Sequence, residues 1–426
     1  MTSLTTPGND ELPVQEAPTG PERMSRWLWV VYPLALIAMG AVWGGVMQVL
    51  LGKQIATIIP DAAASATALG VAMSVGAISS VISQPVMGRL SDRTPGRFLG
   101  RRNSWVLGAS IAGAIGLLVM SQLTSTTALA ITWAVVMWPL NGTQAALTAV
   151  MPERVPVRFR GSMSGLVGAA SSVGMYIGVA IAGLSEDLFL GYLGVAAVFV
   201  LICALFALST KDYAPPAITA TSASALREAA RFPGFRTAPD YWFTFVGRFL
   251  LVFGYFSVAS FQLYILRDYI GLDDIDAAST ALVALTGLST VLSVTFALFG
   301  GWLSDRLGRL RLFVAISTLL FLPAGLVYLL VPTMTGAWIA TAFTGSAFGI
   351  YSAVDQALIT RVLPNVHNAA RDLGVMNIAN AGPQIIAPSV AGLVVGATGD
   401  YRVVFIALIV CTILGAISVR FIKGVR

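Results

Sequence analysis

Gly88 to Arg102 reads GRLSDRTPGRFLGRR, and this stretch decides the fold. An apolar run of roughly one membrane span ends there. Five arginines and the single acid Asp92 follow. A shortened copy, GGWLSDRLGRLR, runs from Gly300 to Arg311 around Asp305. The two aspartates are separated by close to half of the 426 residues. A loop with one acid among arginines, repeated half a chain later, implies two related halves. Each copy follows the second apolar run of its half.

The composition agrees with a chain dissolved in lipid. Apolar residues make up 56% and charged residues 11%, with a mean hydropathy of +0.81. A soluble domain does not have this balance. The formal charge of +6 therefore points to the membrane and not to nucleic acid. Cys203 and Cys411 sit inside apolar runs, without disulfide or metal spacing. The single histidine, His367, falls in a loop, where a surface role is expected. No cluster of His, Cys or carboxylates suggests an enzyme, and no cofactor is expected beyond a coupling proton or other cation.

Apolar segments occur at about 27–52, 65–90, 104–123, 128–150, 161–183 and 188–209, then at 241–266, 277–302, 311–331, 337–361, 371–397 and 402–422. Each is close to the ~20 residues that cross ~30 Å of hydrocarbon. The expected fold is all-α, with twelve transmembrane helices in two pseudo-symmetric six-helix bundles. Residues 1–24 form a polar tail, expected to be disordered, and lack a signal peptide's pattern. The bundles occupy 25–210 and 241–426. A linker, 211–240, carries Pro215–Pro216 and the amphipathic stretch Ser224 to Phe232, able to lie on a membrane surface. If both termini and the even-to-odd loops are cytoplasmic, 22 of the 26 basic residues lie on that side. The chain is expected in the cytoplasmic (inner) membrane, as a monomer, with the bilayer and a small-molecule solute as its partners.

Polar groups inside spans are expensive and face protein or water. Arg248 and Asp355 are the only charges well inside them. Span seven enters from one side and span ten returns to it. Each of these residues lies six or seven positions from that side, ~10 Å deep at 1.5 Å per residue. Equal depth in one half makes them a candidate pair, either a structural bridge or a coupling site. Arginine does not usefully lose its proton, so Asp355 is the group that titrates if the pair couples transport to protons. Arg248, Tyr255 and Gln262 form one stripe of span seven. Span ten adds Tyr351 and Gln356, span four Trp138, Asn141 and Gln144, and span one Trp43 and Gln48. Aligning Pro152 with Pro364 sets Gln144 opposite Gln356. With Asn377 and Gln384 of span eleven, these amides can both donate and accept, as sugar hydroxyls require. The alternative is that each is interhelical glue, worth ~0.6 kcal/mol. Gly174-x-x-x-Gly178 of span five reads as a close-packing face.

Gly-x-Leu-Ser-Asp-Arg followed by Gly-Arg resembles the loop signature of the major facilitator superfamily. Gly88, Leu90, Ser91, Asp92, Arg93, Gly100 and Arg101 match in the first half. Leu303, Ser304, Asp305, Arg306, Gly308 and Arg309 match in the second. The longer insert TPGRFLGRR, and RDLGVMNIANAGPQIIAP from Arg371 to Pro388, are similar to the glycoside–pentoside–hexuronide cation symporters and proton-coupled sucrose carriers. The resemblance implies a pathway lined by spans one, four, seven and ten, and alternating access around it. It implies a gating role for Gly88, Asp92, Arg93, Arg101, Asp305, Arg306 and Arg309; on charge alone these arginines could merely fix topology. Span two has no acid, against a melibiose-type sodium site, and span five, MYIGVAIAGLSE, lacks the Gly-Pro motif of drug antiporters. The function implied is secondary transport of a small polar, sugar-like solute by proton-coupled symport. Proton-coupled efflux of amphiphilic compounds is the alternative.

Overall fold

A computed structural model describes residues 24–94, 99–212, 234–235, 238–272, 274–362 and 369–422. The tail at 1–23, most of the linker including Ser224 to Phe232, and His367 lie outside them. So do the side chains of Asp305 and Gln356. A backbone in hydrocarbon must satisfy its own polar groups, and these spans do so as helices. In chain order they are α1 (Leu28–Ile58), α2 (Ala62–Arg93), α3 (Arg101–Ser121), α4 (Thr126–Arg154), α5 (Arg160–Gly183) and α6 (Leu188–Ser209). The second half contains α7 (Pro239–Ala259), α8 (Ile275–Leu307), α9 (Leu310–Leu330), α10 (Met334–Val362), α11 (Ala369–Thr398) and α12 (Arg402–Arg420).

Among the described residues, eleven helices are long and apolar enough to cross a membrane. The exception is α4, whose middle holds Pro139, Asn141, Thr143 and Gln144. It is as long as its neighbours and packs on α2 and α3, so it spans with them. Three helix starts at the end opposite the arginine loops are capped by side chains: Asp61 accepts from the Ala64 amide, Ser125 from Ala128, and Asp274 from Ala277. We call this the far end. Two spans are irregular near it. α1 winds as a π-helix over Trp43–Leu50, and beyond the end of α7 the chain breaks at Ser260 and re-forms as a short π-turn, Ile265–Tyr269.

The glycine pattern of span five does what its spacing predicts. A Cβ on Gly178 would fall 2.0 Å from the Ala41 carbonyl oxygen, so only glycine lets α5 lie this close to α1. The two halves touch along α2–α11 and α5–α8, where Gly70 and Gly392 meet backbone to backbone. Two hydrogen bonds and an ion pair join the halves at the far end. Lys53 pairs with Asp276 at 2.5 Å, the Tyr264 hydroxyl donates to the Gly52 carbonyl, and Arg267 donates to Ser65. The molecule is clasped at the far end.

Candidate functional site

A cavity lies between the halves, walled mainly by α7, α8 and α10. Gln48 of α1, and Ser172 and Met175 of α5, reach it from the first half. Tyr255, Val258 and Ala259 of α7, with Gln262 just beyond, form one wall. Thr286, Ser289, Thr290 and Ser293 of α8 form the second, and Thr341, Thr344 and Phe348 of α10 the third. Tyr255 stacks on Phe348, with ring centroids 4.8 Å apart and planes at 19°. Gln262 Nε2 is 3.5 Å from the Tyr328 hydroxyl, which also faces the cavity. Among the described residues, no charged side chain lines it.

Arg248 and Asp355 meet. Nη2 of the arginine is 3.1 Å from Oδ2 of the aspartate, and the two side chains are 6% and 7% exposed. Arg248 Nε itself has no hydrogen-bond partner. The pair shares its helix faces with the cavity: Tyr255 lies two turns beyond Arg248, and Phe348 two turns before Asp355, ~10 Å in each helix. Tyr351 lies between, its ring 6.2 Å from Phe348 and its buried hydroxyl beside both members of the pair without the geometry of a hydrogen bond.

Of the residues proposed for solute contact, Gln48, Tyr255 and Gln262 line this cavity. Asn141 does not: its amide donates to Ser80 and Ser83 of α2, at 3.0 and 2.7 Å, and works as interhelical glue. Gln144 is 3.3 Å from Thr148 on its own helix, and Gln384 donates to the Asn380 carbonyl. Trp43 and Trp138 are half-buried away from the cavity, Tyr351 is buried beside the ion pair, and Asn377 is exposed. The α8 and α10 hydroxyls escaped the sequence reading because serine and threonine are ordinary in apolar spans. The signal was their spacing at 286, 289, 290 and 293, one face of a helix.

At the arginine-rich end the repeated loop is bonded within its own half. Arg102 pairs with Asp92 at 2.7 Å and with Glu153 at 2.6 Å, and donates to Ser91. Arg101 pairs with Glu153 and donates to the Asp92 carbonyl. Asp212, just past α6, accepts from the Arg102 amide at the start of α3 and pairs with Arg154 at 2.8 Å. A carboxylate at a helix start is favoured by the exposed N–H groups there. Arg93 is exposed, and a Cβ on Gly88 would meet open space. In the second copy Arg306 lies over the Trp302 ring, Gly308 ends α8 at φ +62°, and Arg309 leads into α9. Glu153, Asp212 and Arg102, which organise the cluster, were not singled out from sequence, because partners 50 to 110 residues apart leave no local pattern. None of these bonds crosses to the other half.

At the far end Tyr401 donates to Asp268, which also pairs with Arg267. Burial, then the neighbouring carboxylate, pushes the Tyr401 hydroxyl well above its ordinary range, so it stays a donor.

The fold has solved counterparts. A bacterial homolog of the human lysosomal transporter Spinster, in an inward-facing and unoccupied conformation, superposes with a TM-score of 0.66 at 15% identity, covering 94% of this chain and 97% of that one. The nucleoside transporter NupG superposes with a TM-score of 0.69 at 15% identity, covering 93% and 98%. No curated protein matches the chain by sequence. The family model described as Major Facilitator Superfamily matches residues 28–380 and 273–425. With the repeated loop and two bundles meeting around a cavity, this chain belongs to the Major Facilitator Superfamily, a family of transporters.

Proposed function

We propose that the chain moves a small, uncharged polar solute by proton-coupled symport, with Asp355 as the proton-carrying group and Arg248 as its counter-ion. The observation that carries this reading is a buried ion pair on the same α7 and α10 faces as a cavity lined by uncharged side chains. A proton on Asp355 releases Arg248, and movement of α7 against α10 then reshapes the cavity two turns away. A permanent charge in the solute would enter the cavity unpaired, at a large desolvation cost. On this reading both termini lie in the cytoplasm, and the arginine-rich end is the inward one. The gating role of Asp92 and its arginines belongs to the same reading: the loop braces α2, α3 and α4 into one body that rocks against the other half.

Apolar side chains in the cavity, among them Met175, Leu285 and Leu408, favour the second reading, export of amphiphilic compounds. Proteoliposomes distinguish the two. Under an imposed pH gradient, the native chain should accumulate a neutral solute and acidify the lumen as it does so. Asp355→Asn should abolish accumulation while leaving downhill exchange intact. Accumulation by Asp355→Asn with an unchanged pH dependence would reject the coupling role.

A further inference from the structure

A hydroxyl in a helix usually satisfies itself by donating to the carbonyl one turn back. Ser74, Ser171, Ser257 and Ser279 all do so, as does Ser172 on the cavity edge. Thr344 donates to the Thr341 carbonyl. Five cavity hydroxyls do not: Thr286, Ser289, Thr290, Ser293 and Thr341 line it without a hydrogen bond to protein among the described residues. Thr341 is the sharpest case. It is 2% exposed, and its Oγ1 is buried beside the Tyr328 hydroxyl without the geometry of a hydrogen bond. A buried polar atom left unpaired opposes the fold unless something else pairs it.

The five are not scattered. Positions 286, 289, 290 and 293 fall on one face of α8, and Thr341 lies on the facing side of α10. Gly345 and Gly349 of α10 rest directly on Ser289 and Ser293, so the hydroxyl seam is held by close helix contact. The stacked Tyr255–Phe348 pair lines the same cavity. The first half brings fewer polar groups, Gln48 and Ser172.

We propose that this hydroxyl seam of α8 and α10 is the recognition surface of the cavity, and that it takes a sugar ring, free or as part of a nucleoside. Each uncommitted hydroxyl can donate and accept, which matches a ring bearing several hydroxyl and ether oxygens. The aromatic pair offers a flat apolar wall to the carbon face of such a ring. Recognition is then lopsided, carried by the second half, and not by matched glutamines in both. The inference rests on the transport reading above for its uncharged solute, but not on proton coupling.

The test is equilibrium binding to the purified full chain in detergent, with no gradient. Methyl β-glucoside and uridine separate the free ring from the nucleoside, and ethidium serves as the amphiphilic cation. One of the two ring compounds should bind. Thr341→Val and Ser289→Ala should each weaken it about fivefold, and the pair with Ser293→Ala about a hundredfold. Thr341→Ser, which keeps the hydroxyl, should restore binding where Thr341→Val does not. Equal unfolding temperatures without ligand show that the variants fold. Unchanged affinity in Thr341→Val and Ser289→Ala overturns the seam, and binding of ethidium alone overturns the ligand class together with the uncharged-solute reading. Because no gradient is present, loss of coupling in Asp355→Asn leaves this result untouched.

Discussion

Arg248→Ala should destabilise the protein more than the double change Arg248→Ala with Asp355→Asn. The arginine Nη2 is 3.1 Å from the carboxylate, and both side chains are almost wholly buried. Removing one member of such a pair strands the other, at a cost of about 3–5 kcal/mol. Asp355→Asn alone strands the guanidinium, whose Nε is already without a partner, and should cost a similar amount. The double variant buries no charge, so its loss should be nearer ~1–2 kcal/mol, leaving a coupling of at least ~4 kcal/mol between the sites. Apparent unfolding in detergent, followed by tryptophan fluorescence over the four proteins of the cycle, measures it. Additive losses would refute the reasoning, because they would mean that water or another group already neutralises each charge. The pair could then be neither a bridge nor a coupling site.

At the far end, Asp276→Asn should shift the population toward the arrangement open on that side. Lys53 is buried but Asp276 is 63% exposed, so the pair contributes at most ~1 kcal/mol, or roughly fivefold in population. Distances between spin labels on α1 and α8 read the shift, and an unchanged distribution assigns the clasp to Tyr264 and Gly52 instead. Asn141→Ala loses its bonds to Ser80 and Ser83 and should lower stability by about 0.6–1.7 kcal/mol. Solute affinity should stay unchanged; a large fall in affinity would move the pocket toward α4. Gly178→Ala should abolish folded protein, judged by size-exclusion chromatography, since its Cβ collides with the Ala41 carbonyl; a monodisperse, active variant contradicts the α1–α5 contact.

The twelve helices were legible because the bilayer imposes one length and one polarity on every span. The ion pair was legible for a related reason: charges in hydrocarbon are so costly that two at equal depth point to each other. The amides misled at Asn141. Their chemistry suits glue and solute contact equally, and only the distance to Ser80 and Ser83 separates the two roles. Glu153 and Asp212 could not be assigned from sequence, since their value comes from meeting Arg101, Arg102 and Arg154 in space. The seam of α8 was present as a spacing and went unread, because a threonine that bonds its own backbone looks the same as one that does not. Which end is clasped follows from pairs such as Lys53 with Asp276, half a chain apart.

The weak apolarity of α4 has a consequence for how the protein is made. A segment holding Pro139, Asn141, Thr143 and Gln144 at its centre partitions poorly from the translocon into lipid by itself. Its Asn141 finds its partners, Ser80 and Ser83, on α2, which leaves the ribosome earlier. Integration of α4 is thus a docking event onto a helix already in place. A ribosome that stalls or a change that removes α2 leaves α4 with no acceptor, and the nascent chain exposed to membrane quality control before its second half exists.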